Sequence, residues 1–252
     1  MSRYRRFRGL ALCLLLSGLP LVQAAPPAAV EFSADTLQTD PKNNQRSGRI
    51  YVGKQRIRSE MQQNGQPVVS IIDTDQKITW VLYPQQRSYI EYSGGGSMPD
   101  TESGSPCEGI PGAECRRLGE EQIQGRPAVK WSVTVPGQGG TVQSTQWIGK
   151  QRSILLRQEI QGGPVMEQTM LGVEKLQGRE VEKWEMVMTQ GAQQQRSTRW
   201  FDPQLNLAIK EQNPGGYLRE LRNIQVGPQP PALFTIPSDY RKIVPQSPKG
   251  SR

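Results

Sequence analysis

The chain has 252 residues, with 31 Lys and Arg against 23 Asp and Glu and no histidine. Without histidine a Ser-His-Asp or Cys-His centre cannot be assembled, and imidazole is missing from the metal ligands. Catalytic residues, a metal and a cofactor are all expected to be absent. A hydrophobic share of 35% beside 26 Gly and 20 Pro suits many short elements that each bury one side.

The first residues read MSRYRRFRGLALCLLLSGLPLVQA: four arginines, a short apolar run from Leu10 to Leu21, and small residues at Val22 and Ala24. This is the pattern of a secretory signal peptide at 1–24, cleaved after Ala24, and the run is too short to cross a bilayer. Leu12 before Cys13 does not fit a lipobox. Removing the four leader arginines from a net charge of +8 leaves +4, with the basic residues scattered among strands. No nucleic-acid partner is expected, while weak peripheral contact with a membrane is compatible with that charge. Export is expected to place the chain in an oxidising compartment outside the cytoplasm. There Cys107 and Cys115 are expected to form a disulfide.

Residues 25–92 form the first block of strands, expected at 28–37, 46–53, 56–63, 66–73, 77–83 and 87–92. Ile78, Trp80 and Leu82 alternate with polar or outward positions, the period of a strand that buries one face. Asp73-Thr74-Asp75 reads as a turn between two of these strands rather than a carboxylate site. Residues 93–117 are a Gly/Ser/Pro-rich connection that carries the disulfide.

From 118 to 240 the chain repeats itself. LGEEQIQGRPAVKW (118–131) aligns without gaps to LGVEKLQGREVEKW (171–184), and the offset of 53 also joins Trp131 to Trp184 and Trp147 to Trp200. A looser third copy starts at Tyr51, where GKQR recurs as it does at 149–152. Strands are expected at 119–124, 127–135, 141–149, 153–161, 164–174, 179–189, 194–201, 205–212 and 217–226, and GKQR is a turn between neighbours with Lys and Gln exposed. Glu120 and Glu121 open a strand without an evident partner, and residues 241–252 read as a flexible tail.

The expected fold is therefore all-β with little helix, one large curved antiparallel sheet built partly from tandem strand-turn-strand repeats. Its apolar positions carry Trp80, Trp131, Trp184, Met186 and Met188. These side chains either pack a core or line a hydrophobic concavity for a ligand.

GRIYVGKQRIRSEM (48–61), IIDTDQKITWVLYPQQRSYIEY (71–92), FDPQLNLAIKEQ (201–212) and LFTIPSDYRKI (233–243) resemble an exported bacterial domain of unknown function. That domain is related to the LolA/LolB-like outer-membrane lipoprotein carriers. The resemblance implies a half-barrel whose concave face holds a lipid or a lipidated protein. It implies a non-enzymatic carrier or chaperone with outer-membrane or envelope proteins as further partners. The rival reading is a periplasmic protein-interaction or envelope-stress sensing module that uses exposed strand edges.

Overall fold

The computed structural model describes residues 30–93, 105–107, 110–137, 140–151 and 153–244. The leader at 1–24 and most of the tail at 241–252 lie outside them. The period-two segments become strands throughout, and no α-helix forms among the described residues.

Six strands make the first arm: β1 (Phe32–Thr39), β2 (Gln45–Val52), β3 (Arg56–Gln63), β4 (Gln66–Asp73), β5 (Ile78–Tyr83) and β6 (Ser88–Ser93). The second arm opens with β7 (Glu114–Ile123), β8 (Arg126–Gly137), β9 (Gly140–Gly149), β10 (Leu155–Ile160) and β11 (Val165–Leu176). It continues with β12 (Arg179–Gln190), β13 (Gln193–Asp202), β14 (Leu207–Gln212) and β15 (Leu218–Val226). The short β16 (Arg241–Lys242), in the segment expected to be a loose tail, pairs parallel with β6.

All sixteen belong to one open sheet, ordered β16-β6-β5-β4-β3-β2-β1-β15-β14-β13-β12-β11-β10-β9-β8-β7, with the form of a half-barrel. The chain thus starts in the middle of the sheet. It walks out to β6, re-enters at the opposite edge as β7, and returns until β15 pairs with β1. The connection expected at 93–117 is shorter, because β7 already begins at Glu114, and it links β6 near one end of the sheet to β7 at the other, a role its composition does not reveal.

That connection limits the shape. Fourteen inter-strand steps separate β6 from β7, about 67 Å if the sheet were flat. Cys107 and Cys115 are bonded with their Cα atoms 5.8 Å apart. The fourteen residue steps from Ser93 to Cys107 reach about 50 Å at full extension, and the bridge adds only a few more. The tether is shorter than the flat width, so the sheet has to curve.

Glycine bulges set the curve at the second arm. β7 shifts register between Arg117 and Gly119, and β11 between Met170 and Gly172, 53 residues on. Gly119 and Gly172 hold φ of 149° and 151°, a conformation that favours glycine. Beyond each bulge the hairpin tip leans over the sheet. Arg126 of the first tip lies 5.0 Å over the ring of Trp184 on β12. Gln177 of the second donates to the Leu221 carbonyl on β15 at 2.8 Å.

Three clusters pack the molecule. Phe32, Ala34, Val181, Trp200, Leu205, Ile209 and Leu221 hold the centre where the two arms meet. Ala128, Trp147, Leu156 and Trp184 hold the repeat region. Val69, Ile71 and Leu82 are covered by Phe234, which arrives on the turn Pro231–Phe234. Arg58 and Arg56 fasten that turn by donating to the Leu233 and Phe234 carbonyls at 2.9 and 3.4 Å.

The meeting of β2 and β3 needs glycine for a different reason. A Cβ placed on Gly48 would lie 2.2 Å from the Glu60 carbonyl oxygen, and backbone cannot step aside cheaply. Gly48→Ala is expected to destabilise the chain by about 1–3 kcal/mol, read as a lower urea midpoint with an unchanged slope.

Candidate functional site

Register partners project to the same side of a sheet, so rows of partners sort the side chains into two faces. One face is polar. Its row Lys130–Trp147–Arg157–Glu167 crosses four strands. Lys130 and Arg157 lie 5.0 and 5.4 Å from the Trp147 ring, and the indole N–H donates to Glu121 Oε2 at 2.7 Å. The same cage recurs 53 residues later. Lys183 and Lys210 lie 5.2 and 4.8 Å from Trp200, whose N–H donates to Glu174 at 2.5 Å. Cations over an indole face and a carboxylate on its edge satisfy both parts of the ring's charge distribution. These two tryptophans are therefore closed, structural groups. The shared offset of Glu121/Glu174 and Lys130/Lys183 was the signal for the cage, and the sequence reading did not use it.

The carboxylates considered for chemistry have partners as well. Glu120, read as unpartnered, takes Lys150 and Arg117, and Glu121 takes Lys130 in addition to Trp147. Asp73 accepts from Arg56 and from the Gln76 amide, which fixes the turn after β4. Burial alone would raise the Asp73 pKa, but the Gln76 amide and Arg56 outweigh it and the net direction is down. The Lys130 and Trp147 hydrogen bonds hold Glu121 below its ordinary value, and Lys242 and Trp80 do the same for Glu91. No group of three His, Cys, Asp or Glu among the described residues could hold a metal ion.

The opposite face is apolar. Trp184, Met186 and Met188 on β12 pair with Met170, Gln168 and Met166 on β11. Trp131 joins that face through Gln146, Gln158 and Met166. Four of the five proposed ligand residues thus share a face. Trp80 does not. Its row runs through Ile71, Arg58 and Tyr51 to Ser33, on the polar side, where Trp80 packs beside the Phe234 cluster and donates to Glu91 at 3.0 Å. Strand period places Trp80 on a face but cannot say that this face points away from Trp184, which depends on the strand order across β1.

Exposure separates the four further. Trp184 is 2% exposed and belongs to the core, and the cleft beside it holds only about 20 Å³. Met188 is 38% exposed. Trp131 is partly exposed, yet its Nε1 is buried with no acceptor among the described residues. Met61, Tyr92, Val142, Val173 and Val226, all exposed large apolar residues, fall on this same face by register. Arg126, from the tip of the β7–β8 hairpin, rests on Trp184 and reaches Met170.

No family model matches the chain, and no curated protein matches it. Several solved structures are similar at low identity. A DUF1329 family protein from Desulfovibrio piger is 15% identical over 83% of this chain and 90% of its own, with a TM-score of 0.37. A putative outer membrane lipoprotein-sorting protein domain from Vibrio parahaemolyticus is 10% identical over 78% and 84%, with a TM-score of 0.32. The lipoprotein LppX from Mycobacterium tuberculosis is 16% identical over 53% and 79%, with a TM-score of 0.22. Similarity at this level carries no functional information.

Two measurements follow from the site. Each paired carboxylate binds protons more weakly in the folded chain than in the unfolded one. Its contribution is whole above the ordinary values of 4.5 for Glu and 3.8 for Asp, and is lost as pH falls through the lowered folded values. Urea midpoints should therefore decline on acidification below about pH 5, and the Glu91→Gln/Glu121→Gln double variant should show a shallower decline. In the second, Trp184→Ala should cost about 3–5 kcal/mol, whereas Met188→Gln should leave stability within about 0.5 kcal/mol. Equal effects from the two would place Met188 in the core.

Proposed function

We propose that this is a periplasmic carrier or chaperone that shelters an acyl chain, free or attached to a lipidated protein, against the apolar face of the sheet. The observation that carries the reading is the exposure of Met61, Tyr92, Val142, Val173, Met188 and Val226 on one face of the sheet. Ile110, Leu118, Leu171, Tyr217 and Val244 are exposed singly in loops, bulges or strand ends, as is common. Six large apolar residues exposed on one face of the strands instead mark a surface that something covers. Methionine makes such a surface tolerant of chains of different length, because its thioether side chain adapts its shape cheaply.

Both the leader expected at 1–24 and the Cys107–Cys115 bond fit an oxidising, extracytoplasmic compartment. No described helix is long and apolar enough to cross a membrane. The rival reading, partner recognition by strand edges, is less well supported. One edge is occupied, since β16 lies along β6 with Arg241 and Ile243 donating to the Arg87 and Tyr89 carbonyls at 2.9 and 2.8 Å. The other edge, β7, is bulged at Gly119 and carries Arg116, Arg117, Glu120 and Glu121, the features by which edges resist pairing.

Protein isolated from its native envelope should release stoichiometric acyl lipid into organic solvent, measured by mass spectrometry. Met188→Asp should abolish the lipid while leaving the melting temperature unchanged. Lipid-free protein that also fails to take up a fluorescent fatty acid would rule the carrier reading out.

A further inference from the structure

One row on the apolar face changes character as it crosses the sheet. It begins at Met170 and Trp184, then passes through Arg199, Glu211, Arg219, Gln38 and Arg46. Three arginines and one glutamate thus stand in a line, on the same face as the methionines and directly continuous with them. Arg46 and Arg219 flank Gln38 on adjacent strands, which sets their Cα atoms about 10 Å apart, close enough for both guanidinium groups to reach one anion over Gln38.

The local charges favour that use. Arg219 is shared with Glu211 at 3.5 Å, with its side chain 53% exposed. Arg199 has no ion-pair partner among the described residues. Asp40 lies within the electrostatic reach of Arg46, but its oxygens are taken by the Lys42 and Asn44 amides at 2.9 and 2.8 Å and by the Asn44 side chain at 2.8 Å. An open cavity of about 550 Å³ lies here, lined by Gln38, Asp40, Asn44, Arg46, Tyr217 and Arg219. That is the size of a headgroup with a few methylenes.

We propose that Arg46, Arg219 and Arg199 form an anion-binding strip that holds the phosphate headgroup of an amphiphile whose acyl chain runs over the same face toward the exposed Met188. The proposal rests on the carrier reading and adds the class of lipid to it. Guanidinium groups suit this task because they pair with phosphate in two-point fashion and shed water more readily than ammonium does. A strip of charge bordering an apolar face also fixes the direction in which an amphiphile lies.

The test uses the mature chain with vesicles of phosphatidylglycerol, vesicles of phosphatidylcholine, and inorganic phosphate as competitor. Arg46→Gln/Arg219→Gln and Arg199→Gln are compared with Lys54→Gln, which removes an exposed charge from the β2–β3 turn. Phosphatidylglycerol binding should fall about five-fold for each arginine removed and hardly change in Lys54→Gln, with phosphatidylcholine uptake the same in all variants. The strip is overturned if Lys54→Gln weakens binding as much as the arginine variants. It is also overturned if the wild-type chain takes up the two vesicles equally, a result that leaves the carrier reading standing. Displacement of phosphatidylglycerol by inorganic phosphate alone would assign a free-anion site and overturn the headgroup assignment. Binding to neither vesicle would remove the carrier reading and the strip together.

Discussion

The structure depends on the pairing of β1 with β15. Residues 32–39 lie against 218–226, so the first strand of the chain is held in the middle of the sheet by the last long one. Leu221, Phe32 and Ala34 meet there with Ile209 and Val181 from the second arm, all nearly inaccessible to water. Contacts this distant in sequence repay their loop-closure entropy only when the whole second arm is in place. The two arms are therefore one cooperative unit.

A single layer of strands has no second layer to hide its apolar side. This chain meets the difficulty in three ways. Over part of the polar face the Leu233–Phe234 turn acts as a cover, fastened through its own carbonyls by Arg56 and Arg58. In the repeat region, tryptophans on the polar face are shielded by lysine and arginine from neighbouring strands, so no further element is needed. The hairpin tips beyond Gly119 and Gly172 lean over the sheet, where Arg126 rests on Trp184 and Gln177 bonds the Leu221 carbonyl. What is left uncovered is a band that includes Met61, Val142 and Met188, and its exposure carries the proposed function.

The repeat explains why one sentence appears twice in the chain. Gly53 and Gly149 begin turns in which Lys54 and Gln55, or Lys150 and Gln151, point to solvent, while the glycine itself is pressed against Phe234 or Leu156. The arginine that ends GKQR at Arg56 is a tie to Asp73 rather than a surface charge. Its recurrence is a constraint of strand-turn-strand packing, in which a side chain on the glycine would collide with the neighbouring cluster.

By itself the sequence determined the local structure. Alternation in KITWVLY and in WSVTV, with Gly and Asn at the reversals, dictates strands and turns, because side-chain period and backbone preference are properties of a few adjacent residues. The cysteine pair and the 53-residue repeat were legible for the same reason. Tertiary structure alone decided which strands became neighbours. Placing β1 between β2 and β15 sends Trp80 to the face opposite Trp184 and aligns Arg46 with Arg219. Those relations join residues more than a hundred positions apart. They follow from the register of long-range hydrogen bonds and the curl of the sheet, neither of which any local stretch encodes.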